Sequence, residues 1–185
     1  MTRERIVEVA LALIDRGSAS ALSMRRVATE LGAGTMSLYS HIADKADLQL
    51  AVLERVLDGV AYRSDPDARV ASRNLAHAVR SHFLAHPATI ELLGTSARPR
   101  PLVDGLAAAY VDLTARAIPG TTALRMIESV AHYTIGTLLA ELYGTSATRP
   151  RRERDADFDF GLDALFAGFA VHLGVDPANP PPTLS

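Results

Sequence analysis

The segment from Leu22 to Lys45 concentrates groups suited to a polyanion and to base edges. Arg25, Arg26 and Lys45 are cations, while Thr35, Ser37, Tyr39, Ser40 and His41 carry hydroxyl, phenol or imidazole groups. Met36 is the apolar member, and no acid stands between Leu31 and Ala43. Such a set can donate to phosphate oxygens and to the acceptors of guanine. Two other clusters invite a metal. His82 and His86 are four residues apart, as two zinc ligands on one helix face would be. No third ligand accompanies them, and His86 precedes Pro87, at a predicted helix end where an imidazolium suits the dipole. Asp155, Asp157 and Asp159 alternate like calcium ligands, but Gly161 comes one position late and Phe166 stands where a bidentate Glu is required. Acids at a helix start are the simpler reading. The chain has no cysteine, no G-x-S-x-G elbow, no phosphate-cradling glycine loop and no H-E-x-x-H. No catalytic residue, metal or cofactor is expected.

The elements that must position these groups are helices. Apolar residues recur with the 3.6-residue period, and no alternating run of strand length appears. Ile6, Val9, Ala10, Leu13 and Ile14 form one stripe, ended by Gly17. Ser23 caps a short helix carrying Met24, Val27, Ala28 and Leu31 inward. The turn at Gly32-Ala33-Gly34 leads to a third helix over about 35–42. Asp44, with Asp47 three residues on, caps a fourth helix expected over about 44–62. Two short helices joined by a glycine turn make a helix-turn-helix, whose second helix can lie in a major groove. With Leu38 and Ile42 turned inward, Thr35, Met36, Ser37, Tyr39, Ser40 and His41 face outward.

Beyond the break at Ser64-Asp-Pro-Asp67, helices are predicted over about 69–86, 88–94, 101–118 and 122–144. Each is bounded by Pro or Gly. A polar, arginine-rich loop is expected over 145–156, then a helix over about 157–173 and a disordered tail over 177–185. The fold class is all-α: an N-terminal three-helix helix-turn-helix domain (1–45) and a larger helical domain (63–176).

The helices over 122–144 and 157–173 are apolar on more than one face and so must be covered on two sides. A second copy of the chain is the economical cover. A four-helix homodimer interface is therefore predicted from Ile127, Val130, Ile135, Leu138, Leu142, Leu162, Leu165 and Phe169, with Gly136, Gly161 and Gly168 permitting close approach. His132, on the first of these helices, is expected to be buried and hydrogen-bonded.

Composition bounds the alternatives. The chain has 185 residues, 48% hydrophobic and 22% charged, with net charge −2. That excludes a disordered chain and binding to nucleic acid through bulk charge. The longest uncharged stretch, Leu31–Ala43, is too short for a bilayer, and Glu4 sits inside what would be a leader's basic region. A cytoplasmic protein with no membrane partner is expected. Residues 1–63 balance Arg3, Arg5, Arg16, Arg25, Arg26, Lys45, Arg55 and Arg63 against Glu4, Glu8, Asp15, Glu30, Asp44, Asp47, Glu54 and Asp58. So even a balance predicts few phosphate contacts.

The pattern Leu31-Gly32, Leu38-Tyr39, His41-Ile42, Asp44-Lys45 and Leu48 resembles that of the tetracycline-repressor family of transcriptional regulators, and the likeness covers residues 1–60. Ala131-His-Tyr-Thr-Ile-Gly136 and Asp159-Phe-Gly-Leu-Asp163 are similar to the dimerisation helices of the drug repressor that gives the family its name. Asn74 and Leu93-Gly-Thr95 are similar to a ligand-contacting stretch. The resemblance implies a homodimer that binds double-stranded operator DNA and is released by a small-molecule effector. It places Arg25 on a base edge or phosphate and sets Thr35, Met36 and Ser37 to read bases. Tyr39, His41 and Lys45 would hold phosphates, with Ser40 on the same helix.

The drug repressor's metal-binding histidine corresponds to Leu92, its drug-binding histidine to Ala61, its outer-shell carboxylate to Ala140 (beside Glu141) and its phenylalanine to Ala78. These departures imply a different effector. The expected pocket lies among helices 69–86, 101–118 and 122–144. Asn74 and Thr95 are candidates by resemblance; His77, Phe83 and Tyr110 are candidates as polar or aromatic groups on those helices. Two other classes fit the residues alone: a helical dimerisation module that binds a protein, and a helical enzyme.

Overall fold

The computed structural model describes residues 1–94, 97–144 and 146–174. Thr95 and the 177–185 tail fall outside the described residues. Within them the regular structure is helical and no strand occurs, as the periodicity requires. The helices are α1 (Arg3–Asp15), α2 (Met24–Glu30), α3 (Thr35–Tyr39), α4 (Lys45–Val56), α5 (Ala68–Ala85), α6 (Arg100–Ala115), α7 (Gly120–Tyr143) and α8 (Arg151–His172). Short 3₁₀ segments lie at Ala19–Ala21 and Pro87–Gly94.

The chain divides into two compact units. The first comprises residues 1–60 and 82–103, the second residues 61–81 and 104 onward. In the first, α1 packs on α2 and α4, α2 on α3, and both α1 and α4 on the 3₁₀ segment Pro87–Gly94. Ile6, Ile14, Leu22, Val27, Leu38, Ile42, Leu48 and Leu53 are fully buried there. Caps fix the starts of these helices. Thr2 accepts from the Arg5 amide, Ser23 from Arg26 and Asp44 from Asp47. The Asp47 carboxylate accepts in turn from the Ala43 amide at 2.8 Å. Gly32, at φ +63°, makes the turn between α2 and α3, a backbone state open to glycine at little cost.

Two helices end earlier than the sequence pattern predicts. α3 stops at Tyr39, and its last turn is closed by the His41 and Ile42 amides on the Leu38 carbonyl. α4 stops at Val56 instead of running to 62: the Val60 amide turns back to the Leu57 carbonyl, and Gly59 takes φ +85°. The apolar stripe there continues through Leu57 and Val60 as a buried turn. α8 differs the other way, because it begins at Arg151 inside the predicted loop. Pro150 stands just before the first turn. The polar run is helix-compatible because its charges pair four residues apart, Arg149 with Glu153 and Arg151 with Asp155.

In the second unit α7 packs on α8. Phe158, Leu162 and Phe166 of α8 join Ala76 of α5 in one buried cluster, with Val130, Tyr133 and Phe169 against it. Tyr133 stacks on Phe158 with ring centroids 5.6 Å apart. The segment between α4 and α5 is tied to α6, where Asp112 accepts from the Tyr62 phenol and the Ser64 hydroxyl, each at 2.7 Å. Burial and the neighbouring Asp112 push the Tyr62 phenol well above its usual pKa, so it stays a donor.

Candidate functional site

The helix-turn-helix presents one outward set. Leu38 and Ile42 are fully buried, which turns the opposite side of α3 to solvent. Met36, Ser37, Tyr39, Ser40 and His41 are exposed and Thr35 is half-buried; Arg25 and Lys45 flank them, both exposed. The structure therefore brings all eight sequence-predicted DNA-contact residues onto the helix-turn-helix and its flanks. The Ser40 hydroxyl is committed locally, donating to the Ser37 carbonyl at 2.8 Å.

The even charge balance of this region is not evenly spread. Asp47 takes both arms of Arg3 at 2.6 and 3.0 Å, which holds its carboxyl below the usual aspartate range. Glu30 pairs with Arg16, Glu8 with Arg5, Asp58 with Arg55, and Asp15 with His86 Nδ1 at 2.9 Å. Arg25, Arg26, Lys45 and Arg63 make no ion pair among the described residues, and neither do Glu4, Asp44 and Glu54; of these, Arg25, Arg26, Lys45 and Asp44 stand on the helix-turn-helix or at its exit. Cations thus outnumber the acid left unpaired beside α3, which residue counting over 1–63 missed.

In the second unit, Asn74 is exposed on α5 and Tyr110 on α6. His77 is half-buried; its Nε2 lies 2.8 Å from Asp159 Oδ1, and its ring meets Phe158 edge-on. Burial opposes ionisation of Asp159, but His77 and Arg73 overcome it and lower its pKa. Phe83 is 0% exposed and belongs to the first unit. His86, whose place beside Pro87 suggested only a dipole partner, is held by Asp15. Among the described residues no three histidine or acidic side chains gather as a metal site.

A buried ion cluster is the feature that sequence reading overlooked. Arg80 donates two hydrogen bonds to Glu141, at 2.8 and 2.9 Å, and a third to Asp155 at 2.8 Å. Its guanidinium also lies 4.8 Å from the Phe158 ring centroid. Burial disfavours the charge on Arg80, yet the two carboxylates more than compensate and raise its pKa. Arg154 approaches Glu141 at 3.8 Å. Glu141, beside the position of the drug repressor's carboxylate, is therefore engaged by arginine. Seven of the eight acids and arginines of 149–159 join such pairs, with Arg149 on Asp157 and Arg73 on Asp159. That is why the aspartate run resembles a calcium loop without being one.

The residues expected at a dimer interface differ in their exposure within the single chain. Leu138 and Leu162 are 0% exposed within one subunit, so neither has surface left for a partner. Ile127, Val130, Ile135, Leu142, Leu165 and Phe169 are half-buried. The exposed apolar positions lie opposite: Leu124, Gly136, Leu139 and Tyr143 on α7, and Phe160, Ala164, Ala167, Gly168 and Val171 on α8. The α8 set repeats at three or four residues, and the α7 set does so once the exposed Glu128 and His132 between Leu124 and Gly136 are included, so each forms one stripe. His132 lies in the α7 stripe and is exposed within the single chain. Gly136 and Gly168 open onto free space, whereas Gly161 is covered by Tyr133 of the same subunit.

No protein-family model matches the chain. The chain is 30% identical to the HTH-type transcriptional repressor DrrR1 of Streptomyces coeruleorubidus, over 85% of this chain and 60% of that one. It thus spans less than two thirds of that relative. It is 29% identical to an HTH-type transcriptional regulator of Saccharopolyspora erythraea, over 95% of this chain and 87% of that one. Among solved structures, a possible TetR family regulator of Streptomyces coelicolor superposes with TM-score 0.79 at 26% identity, covering 91% and 98% of the two chains. A TetR variant of Acinetobacter baumannii, bound to minocycline, gives 0.77 at 25%, covering 91% and 96%. BioQ with its double-stranded DNA operator gives 0.74 at 25%, covering 93% and 99%. With the helix-turn-helix and the paired long helices in place, the chain is similar in sequence and fold to transcriptional regulators of the tetracycline-repressor family.

Proposed function

We propose that the protein is a homodimeric, ligand-responsive repressor that binds operator DNA through residues 1–45 and an effector through residues 63–176. The observation that carries this reading is the outward polar face of α3 with cations on its borders. Arg25, Arg26 and Lys45, which make no ion pair among the described residues, border that face, while Glu30 and Asp47 are held by Arg16 and Arg3 and Asp44 is the exposed acid beside Lys45. Thr35, Met36 and Ser37 read base edges; Tyr39, His41 and Lys45 hold phosphates; Arg25 reaches a guanine or a phosphate. DrrR1 is described as a repressor, and BioQ is seen on its operator, which supports a DNA partner.

Two recognition helices fit successive major grooves when they stand roughly 34–36 Å apart. An effector that prefers another separation lowers operator affinity by its differential affinity for the two states. Asn74, His77, Thr95 and Tyr110 are the proposed effector contacts. A metal-chelated drug like that of the name-giving repressor is disfavoured, because Leu92 and Ala61 replace its histidines and Glu141 is bound by Arg80. No catalytic role is proposed.

Fluorescence anisotropy on duplex from upstream of the protein's own gene tests the reading. Tight binding that excess random duplex does not displace, and that Tyr39→Ala abolishes, is the expected result. Equal affinity of wild type and variant for every duplex would overturn it.

A further inference from the structure

α3 is one and a half turns long, and Leu38 anchors it, so the residues two positions either side project straight away from the core. Those residues are Met36 and Ser40. Ser40 spends its hydroxyl proton on the Ser37 carbonyl. Met36 has no such commitment and is 80% exposed, more than any other large apolar side chain described. An apolar thioether at the tip of a groove-reading helix is unfavourable against most base edges, since it would desolvate donors and acceptors without replacing their bonds. The major groove offers one apolar group, the C5-methyl of thymine. The rest of the outward face narrows the code further. Thr35, Ser37, Tyr39, Ser40 and His41 include no Asn or Gln for the bidentate adenine contact and no Asp or Glu to accept from cytosine.

Resting on the proposed DNA-binding function, we infer that Met36 is a specificity-determining residue that packs on a thymine methyl in each operator half-site. The operator then carries a thymine, two-fold related, under each α3, and its recognition there depends on the methyl and not on a hydrogen bond.

The test replaces thymine by deoxyuridine, one symmetric pair at a time, in a duplex selected by the full-length protein from random DNA. Burial of one methyl corresponds to about fourfold in affinity, so loss of both costs about fifteenfold. Wild type is expected to lose that factor at one symmetric thymine pair. Met36→Ala, an exposed substitution that leaves the core intact, is expected to bind thymine and uracil versions alike. Met36→Leu is expected to keep the discrimination. Indifference of wild type to uracil at every position, or full discrimination by Met36→Ala, would overturn the inference while leaving DNA binding standing. A selection that enriches no duplex would instead remove the DNA-binding reading, and this inference with it.

Discussion

The phenol of Tyr133 lies directly against Gly161, so closely that a β-carbon at that glycine would overlap the phenol oxygen and the ring carbon that bears it. The hydroxyl lies within reach of the Asp157 and Phe158 carbonyls at 3.1 and 3.2 Å, and the ring stacks on Phe158. One glycine thereby lets α7 and α8 close on each other within the subunit. Gly161→Ala should therefore destabilise by about 1–3 kcal/mol through overpacking. Gly136→Ala, which meets nothing within 4 Å, should be neutral or slightly stabilising to an isolated subunit. Urea unfolding of the two variants separates these outcomes.

Arg80 and Glu141 are each 5% exposed. Arg80→Met alone leaves Glu141 buried with only the more distant Arg154, and should cost about 3–5 kcal/mol. Arg80→Met combined with Glu141→Leu should cost less than the sum of the single changes. A double-mutant cycle by urea unfolding measures the difference; additive effects would show that the pair is not coupled.

Asp47 gives a pH signature. Its folded pKa is lowered by Arg3, so its stabilisation is fully present above the unfolded aspartate value of about 3.9 and is lost as pH falls through the folded value. Asp47→Asn should lower the melting temperature at pH 6 and should narrow its gap to wild type as pH falls below about 4. Melting curves between pH 6 and 2 check this.

The exposed stripes predict where a dimer can be broken without unfolding a subunit. Leu139→Asp or Val171→Asp should halve the mass seen by sedimentation with helicity unchanged, since both side chains are exposed in the single chain. A substitution at Leu138, one residue away, should instead unfold the subunit.

Much of this was legible from periodicity and caps. Ser23, Gly32 and Asp44 mark the helix-turn-helix, and Leu38 and Ile42 set its inward face. The all-α class follows from the same pattern. The register of a long two-faced helix is harder to read. In α7 both Leu138 and Leu139 are apolar, and only the packing of α8 decides which one is core. Charge pairing was also hidden, because Arg80 meets Glu141 and Asp155 across 61 and 75 residues of chain. The same long-range pairing kept the 149–154 run from reading as a helix start, although its four-residue spacings were visible.

Salt dependence probes the cationic surface. If Arg25, Arg26 and Lys45 of both subunits each meet a phosphate, six contacts give log affinity against log salt a slope of about −5. Lys45→Ala, removing two of them in the dimer, should make the slope shallower by about 2 units.

Selection from random duplex DNA by the purified full-length protein tests the central claim most directly, because it assumes no operator. The account predicts enrichment of a two-fold symmetric site whose half-sites lie about one helical turn, or a multiple of it, apart. Tyr39→Ala should fail to enrich it. A wild-type selection that converges on nothing would contradict the account and leave a helical dimer that binds a protein as the better reading.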